Sequence, residues 1–161
     1  MYDGFIDGEF LSEDLQPTIK ALIEQMSSKM RKSINSIVVG VPADFCICVC
    51  KRISRKYVSN HKITQADIED MYESNLSFGD SEQYDVISYS PMQYVLQDDV
   101  KTLSPIGKKT NSLVLDASYI LAKKSFLSLI TEKLKECGIK NIEFISTSLA
   151  QATICEPVRD N

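Results

Sequence analysis

Three cysteines spaced two apart, Cys46, Cys48 and Cys50, are the residues of this chain best suited to chemistry. On a strand that spacing sets all three thiols on one face, and soft thiolates suit zinc or copper(I). Structural zinc takes four ligands, usually in cysteine pairs separated by two to four residues. No second pair lies nearby, and the only histidine is His61. The favoured reading is packing, because reduced cysteine behaves as a small hydrophobe. No residue is assigned to a metal, and a thiol-based metal or redox protein is kept as the alternative. His61 needs a nucleophile or acid partner to serve as a general base; the sequence offers none, and it reads as a surface residue ahead of a helix. Asp98 and Asp99 lie in polar sequence and read as solvated turn residues. No catalytic and no cofactor-binding residue is assigned, so the chain is not read as an enzyme.

Directly after the cysteines come Lys51, Arg52, Arg55 and Lys56, with Lys62 further on. Such a cluster can receive an acidic partner or nucleic acid. It can also be an edge strand guarded by charge against aggregation, which the residues alone favour. The formal net charge of -4 argues against nucleic-acid binding, which relies on neutralising phosphates. Hydrophobic residues make up 43% of the 161 and charged residues 25%, the composition of a soluble globular protein. The N-terminus has no basic region followed by an apolar run, so no signal peptide is read there. No apolar stretch reaches the roughly 20 residues that span a bilayer. The odd cysteine count of 5 fits reduced thiols in the cytosol.

The elements that must position these residues follow from periodicity. Residues 5–11 read as a short extended lead-in. Leu15, Ile19, Leu22, Ile23, Met26 and Met30 form one helical stripe, with Pro17 favouring a start at Asp14 over Ser12. Ile34 to Val41 reads as a strand buried on both faces, ended by Gly40 and Pro42. Phe45 to Ile53 alternates, and Tyr57 and Val58 resume strand character. Thr64 and Asp67 resemble a capping box, with Ile63 and Ile68 as its hydrophobic staple. Phe78-Gly79-Asp80 reads as a turn. Tyr84 to Leu96 is a long strand that Pro91 breaks at a bulge or edge. Residues 98–110 read as a loop, and Ser112 to Leu121 as a strand. Phe126, Ile130, Leu134 and Cys137 mark a helix closed by Gly138. Ile142 to Ile145 is a final short strand, followed by a frayed end. This order indicates an α+β fold.

Several segments resemble FtsA, the actin-like cell-division protein of bacteria. GFIDGEFLSEDLQPTIKALIEQM is similar to its glycine, short strand and long helix; INSIVVGVPADF to its strand before a VGISG-type turn; ITQADIEDMYES to its ITxxDV helix start. ISYSPMQYVLQDD matches a PxxY strand through Pro91, Tyr94 and Asp98. SPIGKKTNSLVLDASYILA matches through Pro105, Gly107 and Leu113, and KECGIKNIEFISTSLAQA through Gly138, Leu149 and Ala150. Tyr119 stands where the family has His, and Thr147-Ser148 where it has Glu-Pro.

The resemblance implies an SHS2-type small sheet with one helix, the 1C subdomain, at residues 42–110. It would be inserted in a partial actin-like (ribonuclease H-like) α/β half-domain, subdomain 1A, at 1–41 and 111–161. It also implies a module for self-association and for recruiting division proteins at the septal ring. Partner-binding residues would be Lys51, Arg52, Arg55, Lys56 and Tyr94. The partners would be other FtsA subunits and division proteins, with FtsZ and the membrane met only through parts not in this chain. ATP and magnesium are expected only for the full-length protein, because the chain has 6 Gly and no DxGxxxT or DxGGGT phosphate hairpin. The parent would lie in the cytoplasm, peripheral on the inner face of the cell membrane. A related scaffold of pilus assembly or another envelope machine is the alternative within the resemblance.

Overall fold

A computed structural model describes residues 5–6, 9–10, 12–79 and 82–154, with side chains from 15–79 and 82–151. In chain order the elements are β1 (Phe5–Ile6), β2 (Glu9–Phe10), α1 (Ser12–Met30), β3 (Ser36–Val41) and β4 (Cys46–Lys62). There follow α2 (Gln65–Glu73), β5 (Tyr84–Leu96), β6 (Lys101–Thr102), β7 (Lys109–Lys123), α3 (Lys124–Glu136), β8 (Asn141–Ser146) and α4 (Thr147–Ile154). The fold is mixed α+β. It divides into two compact units, residues 1–46 with 122–161, and residues 47–121. The resemblance implies an inserted segment at 42–110. The difference has a packing cause at each end. Phe45 packs on Phe126 in the first unit, the rings tilted and their centroids 4.6 Å apart. Leu113, Leu115, Ala117, Tyr119 and Leu121 all belong to the core of the second.

In the first unit, β1 and β2 form a short antiparallel pair. β3 and β8 run parallel, in register from Ser36↔Asn141 to Val41↔Ser146. Helices α1 and α3 pack against each other. α1 begins at Ser12, ahead of the expected Asp14, so Pro17 lies inside the helix. Its stripe is narrower than expected: Leu15 and Ile23 are buried, but Leu22 and Met30 are exposed. β3 is not buried on both faces either; Val38 is exposed and Val41 is sealed. Among the described residues only β8 pairs with β3, and a β-branched run does not report how many neighbours a strand has. α3 matches its stripe, with Phe126, Ile130 and Leu134 buried. It ends in a Schellman motif: Ile139 N–H donates to the Leu134 carbonyl at 3.1 Å and Gly138 N–H to that of Lys135 at 2.9 Å. Gly138 takes φ +83, which glycine adopts without strain. α4 was not anticipated. Leu149 N–H donates to the buried Ser146 hydroxyl at 3.4 Å, a side-chain bond that starts the helix. The expected frayed end lies outside the described residues.

The second unit is a four-stranded sheet of order β4-β7-β5-β6 with α2 on one face. Cross-strand contacts fix its directions. Ser90 meets Ser118, Gln93 meets Asp116 and Gln97 meets Thr110, so β5 and β7 run oppositely. Ile63, Met71, Leu113, Leu115 and Tyr119 are among the most deeply buried side chains of this core. β7 alternates without interruption, its odd residues from Leu113 to Leu121 inward and its even ones outward. β5 does not. Val86, Tyr89 and Tyr94 all pack toward α2, at intervals of three and five that a two-residue period cannot place on one face. The strand slips face twice, the second time across exposed Pro91 and Met92. Pro91 therefore sits in a bulge within a continuous strand, on the side where only Tyr94 and Val95 meet β6. Residues 97–110 are more ordered than a plain loop. Asp98 and Asp99 hold φ of 59 and 56, and β6 follows directly.

Candidate functional site

β4 is the outer strand of the second unit's sheet, seventeen residues with five cations and no carboxylate. Among the described residues no strand pairs with its free edge. Strand alternation divides its side chains. Lys51, Ile53, Arg55 and Tyr57 turn toward α2; Cys48, Cys50, Arg52 and Lys56 turn to the opposite, open face.

The five expected partner-binding residues therefore do not form one patch. Lys51 is a brace: its Nζ donates to the carbonyls of Asn75 at 2.8 Å and Ser77 at 2.6 Å. The same ammonium lies 3.8 Å from the centre of the Phe78 ring, a favourable cation–π position. The segment after α2, expected as a simple turn, is thus tied to β4, and Phe78 packs edge-on to Tyr119 at 5.2 Å. Arg55 pairs with Asp70 and lies 3.9 Å from Asp67, pinning β4 to α2. On the open face Arg52 Nε lies 3.5 Å from Asp116, which also accepts from Gln93 Nε2 at 2.7 Å. Lys56 alone is exposed with no ion pair among the described residues. Tyr94, expected at a partner surface, is 4% exposed in the core. Its inward turn follows from the bulge at Pro91.

His61 has the partner that sequence reading did not find. Its Nε2 lies 2.9 Å from Asp67 Oδ2, and its ring stacks on Tyr57 with centroids 4.3 Å apart. Asp67 closes the capping box of α2, accepting from Thr64 N–H at 2.8 Å and from the Thr64 hydroxyl at 2.6 Å, while Asp67 N–H donates back to Thr64 Oγ1 at 3.2 Å. Burial alone would raise this carboxyl. Bonds from the Thr64 hydroxyl, His61 and the Thr64 N–H outweigh it and bring the group down to about 2. The Thr64 hydroxyl is committed to the cap, and the cluster ties the start of α2 to β4. The feature was legible as a motif at Thr64 and Asp67; the partnership with His61, six residues upstream, was not.

An aromatic groove was missed entirely. Tyr72, Tyr89, Tyr94, Leu103 and Ile106 line a depression of about 460 Å³ beside α2. Tyr72 and Tyr89 stack at 4.4 Å. The Tyr72 hydroxyl lies buried beside Tyr94 without a partner in bonding geometry, and burial followed by the neighbouring phenols pushes its pKa up.

The cysteines also depart from expectation. Cys48 and Cys50 are exposed, not packed. Half-buried Cys46 turns its thiol to the Val41 carbonyl at 4.0 Å. Cys155 lies outside the described residues. No family model matches the chain, and no curated protein matches it in sequence.

Proposed function

We propose that this chain is the interaction module of an FtsA-type cell-division protein, working by noncovalent docking and not by catalysis. The single observation that carries the reading is the chain path. A small sheet with one helix, residues 47–121, interrupts a unit whose strands β3 and β8 pair in parallel across that interruption. This is the path expected of a 1C subdomain of SHS2 type inserted in a 1A half-domain. Parallel strands are normally covered on both faces within larger sheets, and exposed Val38 beside Ile145 fits a sheet that continues in a parent protein.

Docking in this reading uses the free edge of β4. Unpaired backbone N–H and C=O groups accept an added strand, with exposed Lys56 and Val58 on the open face beside that edge. The partner is a neighbouring FtsA-type subunit or a division protein at the septal ring. ATP and magnesium belong to the parent: the residues present do not fit them, since no glycine-rich hairpin of the phosphate-binding kind occurs in the chain. Among the described residues no helix is long and apolar enough to cross a membrane, and attachment to the inner membrane face is assigned to the parent.

Proline scanning of β4 tests the reading. Of two successive strand residues one N–H points outward, so either Val58→Pro or Ser59→Pro blocks the edge without removing an internal ladder bond. The edge-blocking member folds normally by circular dichroism and loses binding to the parent's own full-length protein in sedimentation. Unchanged binding by both folded variants overturns edge docking. A parent coding sequence with no DxGGGT-type hairpin downstream overturns the family reading.

A further inference from the structure

We propose that Cys48 and Cys50 form a two-thiolate site for a soft monovalent cation of the copper(I) class. Three observations lead there. First, both thiols are exposed and project from the same face of one strand, whereas structural cysteines are usually buried. Cys48 also senses its neighbour: its pKa is raised, by burial first and by Cys50 second. Second, the spacing suits a bridging ion better than a disulfide. Residues two apart on a strand have Cα atoms about 6.6–6.8 Å apart. That is the far limit for a disulfide, whose sulfurs must close to about 2.05 Å. Two metal–sulfur bonds of about 2.3 Å hold the sulfurs near 4.6 Å instead. Third, the ligand number selects the ion. Among the described residues no three His, Cys, Asp or Glu side chains gather as a metal set. Zinc, which wants four ligands, is not served; copper(I) accepts two soft ones.

The charge balance closes. Two thiols lose two protons and bind one monovalent cation, leaving a net single negative charge. Arg52 is the next residue on the same strand face, exposed and held by Asp116 at 3.5 Å. Cys46 and Cys137 are excluded as ligands. The first faces the Val41 carbonyl, and the second is half-buried and accepts from Gln16 Nε2 at 3.4 Å.

The test is anaerobic titration of the reduced full chain with copper(I) against a chromogenic chelator, read also by the ultraviolet thiolate-to-copper band. A single copper per monomer is expected, with two sulfur neighbours by X-ray absorption. Cys48→Ser and Cys50→Ser each abolish stoichiometric binding, while Cys46→Ser, Cys137→Ser and Cys155→Ser retain it. Circular dichroism confirms that each variant keeps its fold. Copper retained by the Cys48→Ser/Cys50→Ser double variant overturns the site. So does loss of copper in any of the other three variants, or one copper shared between two chains. Ready closure of a Cys48–Cys50 disulfide under mild diamide treatment contradicts the spacing argument and also overturns it.

Discussion

The Asp67 carboxylate gives the sharpest test of how the second unit is held together. It joins β4 to the start of α2 through His61, Arg55 and Thr64 at once. Its side chain is 15% exposed, so solvent screens these bonds only in part. The fall of its pKa from 3.8 to about 2 is worth about 2 kcal/mol at roughly 1.4 kcal/mol per unit, less some screening. The sign follows from the direction of the shift. A carboxyl whose folded pKa is depressed stabilises the fold above its unfolded pKa, and that contribution fades as pH falls through the folded value. Asp67→Asn removes the charge and keeps an acceptor oxygen, so it should cost about 1–2 kcal/mol at pH 6. Asp67→Ala also removes the cap and should cost about 2–3 kcal/mol. Urea unfolding of wild type and Asp67→Asn in parallel isolates the effect, because every other carboxylate titrates in both proteins. The gap should hold above about pH 5 and shrink to about a third of its pH 6 value near pH 2.5. A gap that stays constant from pH 6 to 2.5 refutes the assignment of that stability to the Asp67 charge.

Two further perturbations separate structural from binding roles. Lys51→Met keeps the aliphatic stem and removes the two carbonyl bonds, so it should destabilise by about 1–2 kcal/mol; a variant as stable as wild type in urea would return Lys51 to the docking surface. Gly40→Ala sets a Cβ 2.7 Å from Thr147 Cγ2, and Thr147 is held by its hydroxyl donating to the Val41 carbonyl at 3.1 Å. It should cost about 1–3 kcal/mol, and adding Thr147→Ser, which drops the methyl and keeps the hydroxyl, should recover most of that; strict additivity of the two changes would sink the steric account.

The elements were legible wherever a local rule names them. Thr64 with Asp67, Ile63 with Ile68, and Gly138 after Leu134 each encode a helix end in a few residues, and the structure has all three. What could not be read is what depends on the number and placement of neighbours. The run from Ile34 to Val41 looked doubly buried, yet Val38 is exposed in a two-stranded sheet. Tyr94 looked available until two slips of face in β5 turned it inward. Cys48 and Cys50 looked like core because alternation alone does not say which face is covered.

The basic cluster shows why composition misleads about function. Lys51, Arg52, Arg55 and Lys56 are adjacent in sequence, but the two-residue period sends them alternately to opposite faces. There Asp67, Asp70, Asp116 and the carbonyls of Asn75 and Ser77 take up three of the four. Of these four, Lys56 alone is exposed with no ion pair among the described residues. Exposed single ion pairs contribute about 0–1 kcal/mol, too little to hold a complex. An edge-docked partner must then be held by backbone bonds and by apolar contacts such as Val58, and its affinity should change little between low salt and about 0.5 M, where charges are screened within a few Å. A steep loss of binding over that range would mean that the internal pairs open on docking, and that the charges act on the partner after all.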